Sequence, residues 1–152
     1  MISGGQTGVD RAALDVARAL GLERGGFCPK GRRAEDGRIP ARYPLRETDS
    51  RAYAERTRRN VRTADATLVL TGQACTQAPV GGTALTLRAA HEAGTPYRHV
   101  RLPATKEQVA AVRRWLADGD VRTLNVAGPR ASEEDGIYDT ARAFLEQMLG
   151  KG

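Results

Sequence analysis

Ser3-Gly4-Gly5-Gln6-Thr7-Gly8 stands directly before a run in which Val9, Ala13, Val16 and Leu20, joined by Ala12 and Ala17, share one face at helical spacing. Gly21 follows where such a helix would stop. A glycine turn opening a helix is a cradle for an anion. Gly4, Gly5 and Gly8 carry no side chains to block backbone approach, and the helix start offers unpaired N–H groups and the positive end of its dipole. Thr7-x-x-Asp10 fits a capping box equally well, but a cap does not account for the three glycines. The spacing matches neither G-x-G-x-x-G nor G-x-x-x-x-G-K-[ST], so an ordinary dinucleotide fingerprint or P-loop is not indicated.

The same unit of strand, glycine turn and helix recurs downstream. Ala66 to Thr71 reads as a buried parallel strand, followed after a polar loop by Gly81-Gly82-Thr83 and a helix through Leu85, Ala89 and Ala93 that ends at Gly94. Thr123 to Ala127 is a last strand, followed by Gly128-Pro129-Arg130-Ala131-Ser132 and a helix presenting Ile137, Ala141, Phe144, Leu145 and Met148. Between them lie a strand over Tyr97 to Leu102 and a helix capped by Thr105-x-x-Gln108, with Val109, Val112, Trp115 and Leu116 on its apolar face. Upstream of the first turn only Met1, Ile2 and Ser3 remain, so a first strand there is short or begins further upstream. Alternating strands and helices predict one α/β domain over residues 1–152, with a mainly parallel sheet and helices on both faces. Loops after the carboxyl ends of parallel strands share one sheet edge, so the three glycine turns are expected to converge on one pocket.

Residues 22 to 49 break the pattern. Gly25-Gly26, Pro29, Gly31, Gly37 and Pro40 punctuate a basic stretch with Lys30, Arg32, Arg33, Arg38 and Arg42, pinned by short strands expected around Phe27-Cys28 and Tyr43-Leu45. A loop this long in a compact domain is usually functional or disordered. From Ser50 to Thr63 the composition favours a helix, with Arg56, Arg59 and Asn60 on one side.

The 152 residues are 40% hydrophobic, enough for one core, and carry a net charge of +6, which asks for an anionic partner without choosing among phosphorylated metabolites, oxyanions and nucleic acid. Two phenylalanines, four tyrosines and one tryptophan leave few stacking platforms, which weighs against nucleic acid. No apolar run approaches a membrane span of about 20 residues, and no signal peptide is recognisable, so a cytoplasmic location is expected. Cys28 and Cys75 form no C-x-x-C, and burial as a small hydrophobe suits Cys28 better than metal ligation. His91 and His99 lack a second ligand at metal spacing. No metal site is assigned.

With Ile2 to Asp15, Cys28-Pro29-Lys30-Gly31-Arg32, Ala34-Glu35-Asp36-Gly37 and Ile39-Pro40 in view, the chain resembles the molybdenum cofactor carrier family. Arg56-Thr57 with Asn60-Val61, Gly81-Gly82-Thr83, and Leu124 to Arg130 with Gly136-Ile137-Tyr138 continue the match in order. That family is similar to the Rossmann-like superfamily of lysine-decarboxylase-like, cytokinin-activating phosphoribohydrolases, as a circular permutation of it. The resemblance implies a Rossmann-like domain with a nucleotide-type pocket, and a carrier that sequesters molybdenum cofactor as cargo and passes it to molybdenum-enzyme apoproteins. Molybdate or a nucleotide is the alternative ligand. Relatives of this kind assemble as dimers or tetramers, so a homodimer or homotetramer is expected.

The implied phosphate-binding site draws Gly4, Gly5, Gln6, Thr7, Gly8, Asp10 and Arg11 from the first turn and its helix, and Lys30 and Arg32 from the basic loop. Arg56 and Asn60 join from the second helix, Gly81, Gly82 and Thr83 from the second turn, and Gly128, Arg130 and Ser132 from the third. Arginines such as Arg32, Arg56 and Arg130 suit planar, charge-assisted bonds to ligand oxygens. In the hydrolases a P-G-G-x-G-T-x-x-E motif ends in the catalytic glutamate, and aligning its Gly-Thr on Gly82-Thr83 puts that position at Thr86, which has no carboxylate. Binding without catalysis is therefore favoured, with no catalytic residue assigned. The alternatives are a phosphoribohydrolase-like enzyme in which Asp10 or Glu35 replaces the glutamate, and a nucleotide-ligand sensor.

Overall fold

The computed structural model describes residues 1–150; Lys151 and Gly152 of the expected 1–152 domain lie outside the described residues. Helices α1 (Val9–Ala19), α2 (Tyr53–Thr63), α3 (Gly81–Ala93), α4 (Lys106–Asp118) and α5 (Ile137–Leu149) alternate with strands β5 (Ala66–Thr71), β6 (Tyr97–Arg101) and β7 (Leu124–Ala127). Four two-residue strands, β1 (Phe27–Cys28), β2 (Arg33–Ala34), β3 (Gly37–Arg38) and β4 (Arg46–Glu47), lie between α1 and α2. The α/β architecture expected from the three repeated units is present.

β5 is the middle of a parallel sheet of order β6-β5-β7, with Leu68 opposite Arg98 on one side and Val126 on the other. All six of its residues are buried, as its unbroken apolar and β-branched run requires. Ala66, Leu68 and Leu70 point into the main core with Val9, Val16, Val112, Phe144 and Leu145 of α1, α4 and α5. Thr67, Val69 and Thr71 alternate to the other face, where α2 and α3 pack together through Val61, Ala89 and Ala90. Helices thus cover both faces.

The first strand shrinks to one residue. Ile2 bridges Asn125 in parallel on one side and Gly25 on the other, donating its N–H to Leu124 O and accepting from Val126 N. Through Ile2 the sheet reaches the backbone just before β1, which pairs with β4 in parallel. The expected strand at Tyr43-Leu45 lies instead just downstream, at Arg46–Glu47, because Tyr43 closes a turn onto Pro40 O and buries its ring with Leu14, Cys28 and Ile39. The β2–β3 hairpin was not anticipated; it is an antiparallel pair of two residues each. α2 starts at Tyr53 and not at Ser50, since Ser50 is held in the preceding loop, its carbonyl accepting from Lys30 N and Thr48 Oγ1.

At α4 the Thr105–Gln108 capping box forms with both of its bonds, at 3.1 and 2.8 Å. At α1 the equivalent box does not. Gly8 is the N-cap and no side chain caps the helix. Thr7 Oγ1 instead donates to Glu35 Oε1 and accepts from Ala131 N, and Asp10 Oδ2 accepts from Gln6 N at 3.2 Å.

Candidate functional site

The three glycine turns line one cavity of about 290 Å³ at the carboxyl edge of β5 and β7. Gly4, Gln6 and Asp10 come from the first turn and α1, Gly81, Gly82 and Thr83 from the start of α3, and Gly128 and Arg130 from the loop after β7. Arg56 and Asn60 of α2 close the remaining side.

The helix starts at this cavity differ in what their amides do. At α1, the Val9 N–H is spent on Pro129 O, and a Cβ on Gly8 would strike Pro129 O and come within 3.0 Å of Ala131 N. A Cβ on Gly5 would strike Leu45 Cδ1. The glycines of that turn are therefore needed for contact between protein segments. At α3, no side chain caps the helix and no acidic residue stands in its first turn, while Cβ atoms built on Gly81 and Gly82 meet nothing within 4 Å. Gly81 needs its glycine for a φ of 59°, but packing makes no such demand on Gly82. Bare amides, a helix dipole and open space make α3 the better anion cradle.

Seven residues expected at the site do not line this cavity. Arg32 is a hub inside the basic loop: its guanidinium donates to Ile39 O, Pro40 O, Tyr43 O and Leu45 O, at 2.8 to 3.4 Å. Arg32→Ala would strand those carbonyls, and a loss of about 2 to 3 kcal/mol is expected in urea unfolding with ligand affinity at α3 unchanged. Arg11 is spent on Asp36 at 2.6 and 2.8 Å and on Gly5 O. Ser132 donates its N–H and Oγ–H to Glu35, which also takes the Thr7 hydroxyl and lies 3.9 Å from Arg130 Nε. Glu35 thus bridges the first and third turns, and those bonds hold its carboxyl below the usual range against partial desolvation. Gly5 and Gly8 are packing positions, as above, and Lys30 is exposed on the loop.

Sequence reasoning missed Tyr53, Thr57, Leu85, Thr86, Asn125, Ala127 and Glu133 in the lining. The signal for two of them was available: Tyr53, Arg56, Thr57 and Asn60 form an i, i+3, i+4, i+7 stripe of α2. Arg59, placed on that side from the sequence, lies over the Phe27 ring at 4.5 Å. Asn60 also locks the fold, with its amide donating to Phe27 O and accepting from Phe27 N. Thr86, at the position of the hydrolases' glutamate, donates its hydroxyl to Gly82 O at 3.0 Å.

Asp10 is the unusual charge here. It is buried beside Arg56, whose Nη1 donates to Gly4 O at 2.8 Å, yet no ion pair joins the two. Burial pushes the Asp10 carboxyl from the ordinary 3.8 to about 6, with Arg56, the Gln6 amide and Arg11 pulling the other way. A carboxyl raised in the folded state favours its proton there, so folding stability falls as pH rises from the unfolded value through about 6. Asp10→Asn is expected to be the more stable protein by about 2 kcal/mol near pH 8, the gap closing near pH 4; urea midpoints across that range check it.

Net charge is concentrated in the stretch of chain that carries α2. Residues 22–63 hold twelve arginines and lysines against six acids, a net +6, and the rest of the chain balances twelve against twelve. The stripe of α2 that lines the cavity belongs to that segment, and Tyr53 on it lies under the Arg33 and Arg56 guanidiniums, at 4.4 and 5.2 Å. Among the described residues no group of three His, Cys, Asp or Glu gathers as a metal site. Cys28 is buried in the Tyr43 cluster, where desolvation raises its thiol, and His99 is engaged with Thr71 Oγ1. No helix among the described residues is long and apolar enough to cross a membrane.

Residues 1–149 match the model of the circularly permutated YpsA SLOG family. The chain belongs to that family. It is also similar to a crystal structure of a "Putative molybdenum carrier protein" from Syntrophus aciditrophicus SB, with 38% identity over 98% of this chain and 93% of that one and a TM-score of 0.92. Among curated proteins no match was found. The resemblance drawn from the motifs, and the α/β fold it implied, are thereby supported over nearly the whole chain.

Proposed function

We propose that this cavity binds and carries a phosphorylated, nucleotide-like ligand of the molybdenum cofactor type without cleaving it. The carrying observation is the start of α3, with its uncapped amides and the open space above Gly81 and Gly82. A phosphate there gains the helix dipole and the amides, with Thr83 in reach as a hydroxyl donor and Arg56 and Arg130 in the wall for further oxygens. The similarity to a protein described as a molybdenum carrier favours molybdenum cofactor as cargo and molybdenum-enzyme apoproteins as recipients. The lining residues, rich in amides, hydroxyls and arginines, suit the ligand's phosphate and ring.

Protein purified from a molybdenum-replete native host is expected to carry molybdenum and to release the fluorescence of an oxidised pterin on denaturation. Absence of both, with no affinity for cofactor, molybdate or a nucleotide, ends the carrier reading.

A second reading, nucleotide hydrolysis, draws on Asp10, a cavity carboxylate whose raised affinity for a proton suits a general base. Glu35 is unsuited to that role because its oxygens are engaged by Thr7 and Ser132. Release of ribose 5-phosphate from nucleoside monophosphates, abolished in Asp10→Asn, would replace the carrier reading with the enzyme; no turnover would retire the enzyme.

A further inference from the structure

A pocket built for an anion has little use for a buried carboxylate, yet Asp10 is in this one. Of the two acids in its lining, Glu133 is neutralised by Arg130 at 3.1 Å. Asp10 has no ion pair, and the nearest guanidinium, Arg56, gives its Nη1 to Gly4 O and its Nε to Thr57. A Cβ on Gly4 would strike Arg56 Nη1 and come within 3.0 Å of Asp10 Oδ2, so the absence of a side chain there keeps the carboxylate edge clear.

Gln6 stands beside it. The Gln6 side chain is oriented without ambiguity, because its Oε1 accepts from two backbone donors, Thr7 N at 3.1 Å and Glu35 N at 2.9 Å. That leaves Nε2, a donor, with no partner among the described residues on a side chain that is 4% exposed and lines the cavity. Among the described residues every fully covered side-chain polar atom has a partner, so Nε2 opens on accessible space. The Gln6 N–H donates to Asp10 Oδ2, which fixes the two groups as neighbours on one wall. That wall therefore offers a carboxylate acceptor next to an amide donor, in the same cavity that the α3 cradle lines.

We propose that Asp10 and Gln6 recognise the edge of the 2-amino-4-oxopyrimidine ring that guanine and pterin share. The ring N–H and the exocyclic amino group donate to the Asp10 carboxylate, and the ring carbonyl accepts from Gln6 Nε2. An adenine edge presents an amino donor and a bare ring nitrogen, and that nitrogen, an acceptor, has no donor to meet at a carboxylate. Hypoxanthine keeps the ring N–H and carbonyl but lacks the amino group. A ring-and-phosphate ligand of this class would set its ring edge on that wall and its phosphate at α3, both of which line the cavity. This selectivity rests on the anion-binding reading above.

Calorimetric titration with GMP, IMP, AMP and a 6-substituted pterin monophosphate tests it. The parent protein is expected to bind GMP and the pterin at least about tenfold more tightly than IMP, and IMP more tightly than AMP. Asp10→Asn, which puts an amide opposite the ring's donors, is expected to lose the preference for GMP over AMP, GMP weakening by about tenfold and AMP gaining from an amide donor at its bare ring nitrogen. Gln6→Glu keeps the acceptor for Thr7 N and Glu35 N and removes the donor, so it too is expected to weaken GMP by about tenfold, and a second buried carboxylate beside Asp10 is expected to lower its melting temperature, which a melt on the same sample reads. Equal affinity for GMP and AMP in the parent, or an intact preference in both variants, overturns the ring-edge assignment and leaves the phosphate cradle standing. Failure of all four ligands to bind overturns both.

Discussion

Gly82→Asp is expected to weaken binding of a phosphate-bearing ligand by a hundredfold or more while the protein melts at the parent temperature or slightly above it. The two readouts part because the position has no role in packing: a Cβ there meets nothing within 4 Å. An acidic residue in the first turn of α3, which has none, would gain a few tenths of a kcal/mol from the helix dipole. The same carboxylate would sit where the ligand phosphate needs the amides, setting two anions within a few ångströms of each other at a cost of about 3 kcal/mol or more. Titration with a nucleoside monophosphate and a thermal melt on the same sample make the comparison. Unchanged affinity would move the anion site away from α3, and a lowered melting temperature would mean that Gly82 is a packing residue after all. Gly82→Ala, with no charge, should fall close to the parent in both.

Gly8→Ala has the opposite expected signature. The residue sits at φ 82°, ψ −128°, a conformation open to glycine alone, and its added methyl would meet backbone at Pro129, Arg130 and Ala131. None of these is the flexible end of a side chain, so the contact is relieved only by separating the first turn from the third. Strain and overpacking together are expected to cost about 3 to 5 kcal/mol. For a chain of this length that lowers the melting temperature by on the order of 10 °C. Binding of inorganic phosphate alone at α3, which draws on neither of those turns, should stay near the parent value in the surviving folded fraction. A melt unchanged by the methyl group would show that the two turns are not in contact in solution.

The contrast between these glycines marks where sequence reading reaches and where it stops. Periodicity located α1, β5, β7 and α5, because each carries its own apolar pattern and the core is assembled from those patterns. Three turns opening helices after strands were enough to place one cavity at the sheet edge. What a given glycine or arginine faces is decided by distant segments, and no local pattern carries that. Gly8 and Gly82 look alike in the sequence, but one abuts Pro129 and the other abuts nothing. Arg32 looked like a ligand arginine because it follows Cys28-Pro29-Lys30-Gly31; its carbonyl partners lie seven to thirteen residues downstream in an irregular loop. Thr7-x-x-Asp10 had the letters of a capping box, and a carboxylate 28 residues further on took the threonine hydroxyl.

Residues 22–63 carry the whole net charge of +6, and α2, one wall of the cavity, belongs to that segment. An approaching anion is drawn towards that segment before it meets a contact, over a range set by the Debye length, about 8 Å at physiological salt. Rising salt should therefore slow capture while leaving the time a bound ligand stays nearly unchanged.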